Sequence, residues 1–99
     1  MPDPNCDVTI HVPPPEGVIS IPVGQKLCIH AAQACTFCCS IGDNFSPSIA
    51  NIQLSHGDNG PYTAETAGSG MYNTSDPNTA CSASAQGPIA VAKSVQINP

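Results

Sequence analysis

The sequence predicts an all-β domain, a single antiparallel β-sandwich of about seven to nine short strands. Composition is the first reason, because the 6 Val, 9 Ile and 6 Thr residues favour strands while the chain holds only 2 Leu. The 11 Pro residues are spread along the chain and would interrupt helices. Runs of alternating apolar and polar residues, separated by turn formers about every 8–12 positions, are typical of a sandwich.

Five strands are predicted in the first half of the chain, at residues 7–12, 17–23, 26–32, 35–41 and 49–54. The prolines at 13–15 end the first strand in an extended link, and Pro22 suggests an edge position or a bulge for the second. The third strand alternates cleanly, so Leu27, Ile29 and Ala31 are expected to face the core.

The fourth strand carries the densest group of cysteines. Phe37 and Ile41 mark its inner face, which places Cys35 and Cys39 inward and Cys38 outward. Because Cys38 and Cys39 point to opposite faces, they are expected to find different partners.

The second half is predicted to contain strands at 61–67, 71–74 and 89–97. Asn59-Gly60 is the strongest hairpin signal in the chain, and residues 68–70 predict a further turn. The small, polar stretch at 79–88 is interpreted as an ordered loop or a short strand.

These strands are expected to form one domain over residues 6–97, with flexible tails at 1–5 and 98–99. The predicted core residues are the large side chains on the inner faces of the strands. They are Leu27, Ile29, Phe37, Ile41, Ile52, Leu54, Tyr72, Val95 and Ile97.

Several short motifs resemble the cupredoxin family over residues 18–97. Residues 21–29 resemble its strand, V-G turn and second strand, residues 54–58 its L-x-x-G turn, and residues 70–72 its G-x-Y strand start. The same motifs occur in immunoglobulin-like sandwiches, so the resemblance implies a Greek-key sandwich of either type. Cys81 could stand for the family's copper-binding Cys, but no His or Met follows it. The resemblance therefore implies the scaffold without the copper ligands.

Six cysteines in a small, low-charge domain point to disulfides formed in an oxidising compartment. The favoured interpretation is three disulfides, with 15 possible connectivities that sequence alone does not resolve. The candidates are Cys6, Cys28, Cys35, Cys38, Cys39 and Cys81.

A thiolate metal site is the alternative interpretation. Cys35 and Cys38 have the separation of a chelating pair, and Cys28 and His30 lie in the preceding strand. Thiolate and imidazole ligands suit Zn²⁺ or Cu(I). On this alternative the protein would be a metal-binding protein that uses the Cys28–Cys39 cluster.

Other classes of function lack their residues in this sequence. With 2 Lys and no Arg, the chain has too few cations for nucleic-acid binding, and no apolar run approaches the ~20 residues of a membrane span. The sequence contains no strained nucleophile turn, no phosphate loop and no paired carboxylates. We therefore expect neither an enzyme nor a cofactor. The three histidines are interpreted as solvated side chains.

The expected function is that of a non-enzymatic, disulfide-stabilised module at the cell surface or outside the cell. The polar start of the chain is not a signal peptide, and the expectation of an extracellular location comes from composition. Such a module would act through binding or assembly. A protein partner or a second copy could pair with exposed strand edges.

Overall fold

A computed structural model of the protein describes residues 6–13, 15–78, 81 and 92–99. Within them the chain forms nine strands and a short 3₁₀ helix at Gly42–Asn44, which confirms the all-β prediction. The strands are β1 (Val8–Val12), β2 (Ile19–Pro22), β3 (Lys26–Ala31), β4 (Cys35–Cys39), β5 (Phe45–Ser46), β6 (Asn51–Leu54), β7 (Gly57–Ala64), β8 (Gly68–Ser75) and β9 (Lys93–Asn98). The expected tail at 1–5, the segment 79–88 apart from Cys81, and positions 89–91 of the expected last strand lie outside the described residues.

The strands are arranged in two sheets that pack against each other. The first sheet has the order β1-β3-β7-β5, and the second has the order β2-β9-β8-β4-β6. Side chains from the inner faces of both sheets meet in one hydrophobic core. Among the described residues, no helix is long and apolar enough to cross a membrane.

The prediction of a purely antiparallel sandwich is wrong, because both sheets are mixed. β1 pairs with β3 in parallel, and β2 pairs with β9 in parallel. The chain leaves β1 in the first sheet, forms β2 in the second, and returns to the first for β3. Strands joined through such a crossover can run in the same direction, whereas a hairpin forces them to be antiparallel.

The core confirms most of the residues that alternation selected. Seven of the nine predicted residues are buried, namely Leu27, Ile29, Phe37, Leu54, Tyr72, Val95 and Ile97. Ile41 and Ile52 are only partly buried and pack against the edge of this core. The rings of Phe37 and Tyr72 stack across β4 and β8 with their centroids 5.4 Å apart.

The predicted hairpin turn at Asn59-Gly60 is wrong, because both residues lie inside β7. The Asn59 side chain donates to the carbonyls of Ser55 and Gly57 at 2.9 and 3.0 Å, and so closes the turn that precedes the strand. Gly60 has a φ of 112° at the point where the register of β7 against β3 shifts. The Asn-Gly pair therefore forms a bulge within a strand instead of a turn between strands.

The start of β8 and the end of β9 also differ from prediction. Residues 68–70, which predicted a turn, open β8 and pair with β9. Asn98, which was expected in the C-terminal tail, is the last residue of β9 and lies opposite Pro22. Its side-chain amide donates to the Ser20 hydroxyl at 3.2 Å.

Gly42 lies where two backbone segments come too close for a side chain. A Cβ atom at this position would lie 2.1 Å from the backbone nitrogen of Ala50. The Gly42 carbonyl also accepts a hydrogen bond from the Ile49 N–H at 3.1 Å, which holds the two segments together. We expect Gly42→Ala to lower the free energy of unfolding by about 1–3 kcal/mol, the usual cost of overpacking.

Gly17→Ala is the matched control, because a Cβ atom there would meet nothing within 4 Å. Urea denaturation of the two variants beside the unmodified protein measures the difference. Equal stability of the Gly42→Ala and Gly17→Ala variants would contradict this close approach.

Candidate functional site

The first disulfide attaches the start of the chain to the first sheet. Cys6 is bonded to Cys28, with the two Cα atoms 5.7 Å apart. Cys28 points to the outer face of β3, as alternation predicts, and the bond leaves it only 4% exposed. Since Cys6 comes just before β1, the bond holds an edge strand of the described sheet onto its neighbour.

The second disulfide joins Cys38 on the outer face of β4 to Cys81, with a Cα–Cα distance of 5.7 Å. Cys81 belongs to the connection between β8 and β9. The bond closes a sequence separation of 43 residues, against 22 for the first disulfide. In the chain-entropy model, loops of these lengths correspond to about 3–4 kcal/mol of stabilisation each.

The prediction of a third disulfide is wrong, because Cys35 and Cys39 are free thiols in the core. They point inward, as the alternation of β4 predicts, but they lie on one strand. Four residues of extended chain separate their Cα atoms by roughly 13 Å, whereas a disulfide spans about 4.4–6.8 Å. Burial raises the pKa of Cys35, and it raises the pKa of Cys39 to about 11.

The structure does not bring together the proposed thiolate metal ligands. Cys28 and Cys38 lie in different sheets, and each is bonded to another cysteine. Cys35 faces the core, while His30 lies on the outer face of the first sheet and hydrogen-bonds to Asp58. Among the described residues, no group of three His, Cys, Asp or Glu side chains is placed to hold a metal ion.

A cleft of about 330 Å³ opens at one end of the two sheets. The parallel pair β1 and β3 ends there, β4 begins there, and β8 ends beside the start of β4. The walls therefore come from the β1–β2 and β3–β4 connections and from the end of β8. The lining residues are Pro13, Pro15, Gln33, Ala34, Cys35 and residues 73–77.

The cleft combines an apolar wall with one acidic group. Pro13, Pro15 and Ala34 supply apolar surface, and the Cys35 residue that lines the cleft is itself only 2% exposed. Asp76 is the one charged residue among the described residues that line it. The volume lies at the lower end of the range of about 300–1,000 Å³ that is typical of ligand pockets.

Hydrogen bonds fix the acidic side of the cleft to the second sheet. The Thr36 hydroxyl donates to the Asp76 carbonyl at 2.9 Å. The backbone N–H of Asn78 donates to the side-chain carbonyl of Gln53 at 2.8 Å. The turn that carries Asp76 is therefore held by residues of β4 and β6.

Sequence reasoning missed this cleft, although two of its walls gave signals. The prolines at 13–15 end the first predicted strand, and the Ser75-Asp76-Pro77-Asn78 segment directly follows the strand predicted at 71–74. The alternation of residues within a strand does not show that these two segments meet at the same end of the two sheets. That follows from the parallel pairing of β1 with β3 and from the register of β8 on β4.

Comparison with known proteins gives no match: no family model, curated protein sequence or solved structure is similar to the chain.

The two free thiols provide a direct test of the cleft. Cys35 lines it, whereas Cys39 lies at the other end of β4, does not line the cleft, and has a pKa raised to about 11 by burial. The thiolate is the reactive form, so we expect iodoacetamide to alkylate Cys35 at least several-fold faster than Cys39 in the folded protein at pH 8.

The alkylation is measured by mass spectrometry of the peptides without added reductant. The Cys35→Ser and Cys39→Ser variants, each with one remaining free thiol, separate the two rates. Equal rates in these variants, or faster reaction of Cys39, would show that the cleft does not give access to Cys35.

Proposed function

We propose that this protein is a disulfide-stabilised binding module of the cell surface or extracellular space, and that it has no catalytic activity. The observation that carries the proposal is the cleft at the end of the two sheets. It is built by four strand ends. Apolar residues form one part of its lining, and uncharged polar residues of β8 and the β3–β4 connection form the rest together with Asp76. Concave sites with a few placed polar groups are the usual location for ligands.

The cysteines support the proposed location. Two disulfides that link distant parts of a small domain are stable outside the reducing cytosol. The free thiols do not conflict with an oxidising compartment, because both are buried and too far apart on one strand to bond with each other.

The scaffold we propose is a cupredoxin-like sandwich without its copper. The parallel pairs β1–β3 and β2–β9 support this choice over an immunoglobulin-like sandwich, which is built from antiparallel sheets. Cys81, the residue that resembles the family's copper-binding Cys, is bonded to Cys38. We therefore propose that the scaffold serves binding without a cofactor.

The occupant we propose is an uncharged or basic segment of a partner protein. Asp76 and the net charge of −5 favour a cationic group over an anionic one. The prolines and Ala34 offer apolar surface to one small aliphatic side chain. The same charge balance disfavours nucleic acid as the partner.

Three capped dipeptides test this proposal: N-acetyl Lys-Leu amide, N-acetyl Leu-Leu amide and N-acetyl Glu-Leu amide. In ¹H–¹⁵N NMR titrations we expect the first two to shift the amide signals of Gln33, Ala34 and Thr74, with the Lys-Leu peptide binding most tightly. The Glu-Leu peptide should bind several-fold more weakly. Asp76→Asn should remove the difference in binding affinity between the Lys-Leu and Leu-Leu peptides.

Ala34→Trp fills the cleft from an exposed position and should abolish these shifts. Ala32→Trp is the matched control, since Ala32 is also exposed and does not line the cleft. Shifts that persist in the Ala34→Trp variant would refute the proposed site. Shifts in β1 and β2 that depend on protein concentration would instead indicate self-association through strand edges. The strand edges would then replace the cleft as the proposed binding surface.

A further inference from the structure

Two histidines and an aspartate form a row across three strands on the outer face of the first sheet. His11 on β1 lies opposite His30 on β3, and His30 lies opposite Asp58 on β7. All three side chains point away from the core, to the face opposite Ile10 and Ile29. The row lies near the ends of β1 and β3 at which the cleft opens, but on the outer face of the first sheet, and none of its three residues lines the cleft.

The row is ordered by direct contacts. His30 Nδ1 lies 2.8 Å from a carboxylate oxygen of Asp58, and both side chains are partly open to solvent, with exposures of 42% and 63%. The ring centroids of His11 and His30 are 5.3 Å apart, with an angle of 55° between the ring planes. His30 is therefore held between a carboxylate on one side and a second imidazole on the other.

The contact with Asp58 selects the tautomer of His30. A carboxylate accepts hydrogen bonds, so Nδ1 carries the proton and the lone pair remains on Nε2. Metal-binding histidines usually have this arrangement, in which a carboxylate orients the ring and makes the other nitrogen a better ligand.

The spacing of the two rings suits one shared metal ion. Two imidazoles that bind a tetrahedral Zn²⁺ at about 2.0–2.1 Å hold their ring centroids roughly 5 Å apart. The 5.3 Å between the ring centroids of His11 and His30 is close to that separation. The parallel register of β1 on β3, close to the Cys6–Cys28 bond, fixes the two backbones that carry these rings.

We propose that His11 and His30 bind one divalent transition-metal ion of the class that prefers imidazole, such as Zn²⁺. Asp58 acts as a positioning residue for His30. No third protein ligand is placed nearby among the described residues, so water completes the coordination and the site is open and exchangeable. This site is independent of the binding function proposed for the cleft.

Isothermal titration calorimetry of the oxidised full chain with Zn²⁺ at neutral pH tests the proposal. We expect one ion per chain. His11→Asn and His30→Asn should each weaken binding by at least tenfold, because each removes half of the chelate. His56→Asn is the matched control and should bind as the unmodified protein does, since His56 is exposed and lies outside the row.

The role of Asp58 has its own readout. Asp58→Asn should weaken Zn²⁺ binding by about 10-fold, in the range found for residues that orient a metal ligand. ¹⁵N NMR of the histidine rings should show a single His30 tautomer, protonated at Nδ1, in the unmodified protein and a mixture in the variant. An unchanged tautomer in Asp58→Asn would contradict the positioning role.

Other outcomes would overturn the site itself. Absence of Zn²⁺ binding would do so, as would unchanged binding in the His11→Asn and His30→Asn variants. Binding that is lost in a Cys35→Ser/Cys39→Ser variant and kept in His11→Asn would assign the ion to the free thiols and remove it from the histidine row.

Discussion

Burial of β4 on both of its faces is the constraint on which the rest of the structure depends. All five of its residues are buried. Its inner face contributes Cys35, Phe37 and Cys39 to the core, where Phe37 stacks on Tyr72. Its outer face presents Cys38, which is bonded to Cys81. One short strand therefore supplies the centre of the core, the attachment of the β8–β9 connection and a thiol at the cleft.

The two disulfides compensate for a core with few large apolar residues. One bond stabilises each sheet: Cys6–Cys28 joins the first residues described to β3, and Cys38–Cys81 joins a long connection to β4. These covalent links hold the start of β1 on β3 and the β8–β9 connection on β4. The cleft requires β1, β4 and β8 to keep their relative positions, and the histidine row requires β1 to stay in register on β3.

The alternation of apolar and polar residues predicted which side chains enter the core. It did not predict which strands become neighbours or in which direction they run. It correctly placed Leu27, Ile29 and Phe37 inside and Cys38 outside, because each of these depends on one strand alone. It did not predict the parallel pairs, since the direction of a neighbouring strand depends on crossovers between sheets. The Asn59-Gly60 pair was misread because a bulge and a hairpin turn both use residues that tolerate positive φ.

The cysteine pairing and the two proposed binding surfaces also depend partly on single strands and partly on which distant strands become neighbours. The even number of cysteines suggested three bonds, yet placing Cys35 and Cys39 on the same face of one strand already separates them by roughly 13 Å. The remaining pairings depend on which distant strands become neighbours. The cleft and the histidine row are likewise products of register, since each joins residues from strands that are not consecutive in the chain.

The alternation of β4 sends Cys38 outward to a disulfide and leaves Cys35 and Cys39 as buried thiols, so the six cysteines form two bonded pairs and two free thiols. Peptide mapping of the non-reduced protein by mass spectrometry, after alkylation in denaturant, tests it most directly. We expect the pairs Cys6–Cys28 and Cys38–Cys81, with Cys35 and Cys39 alkylated as free thiols. A third disulfide, or any bond that includes Cys35 or Cys39, would contradict it.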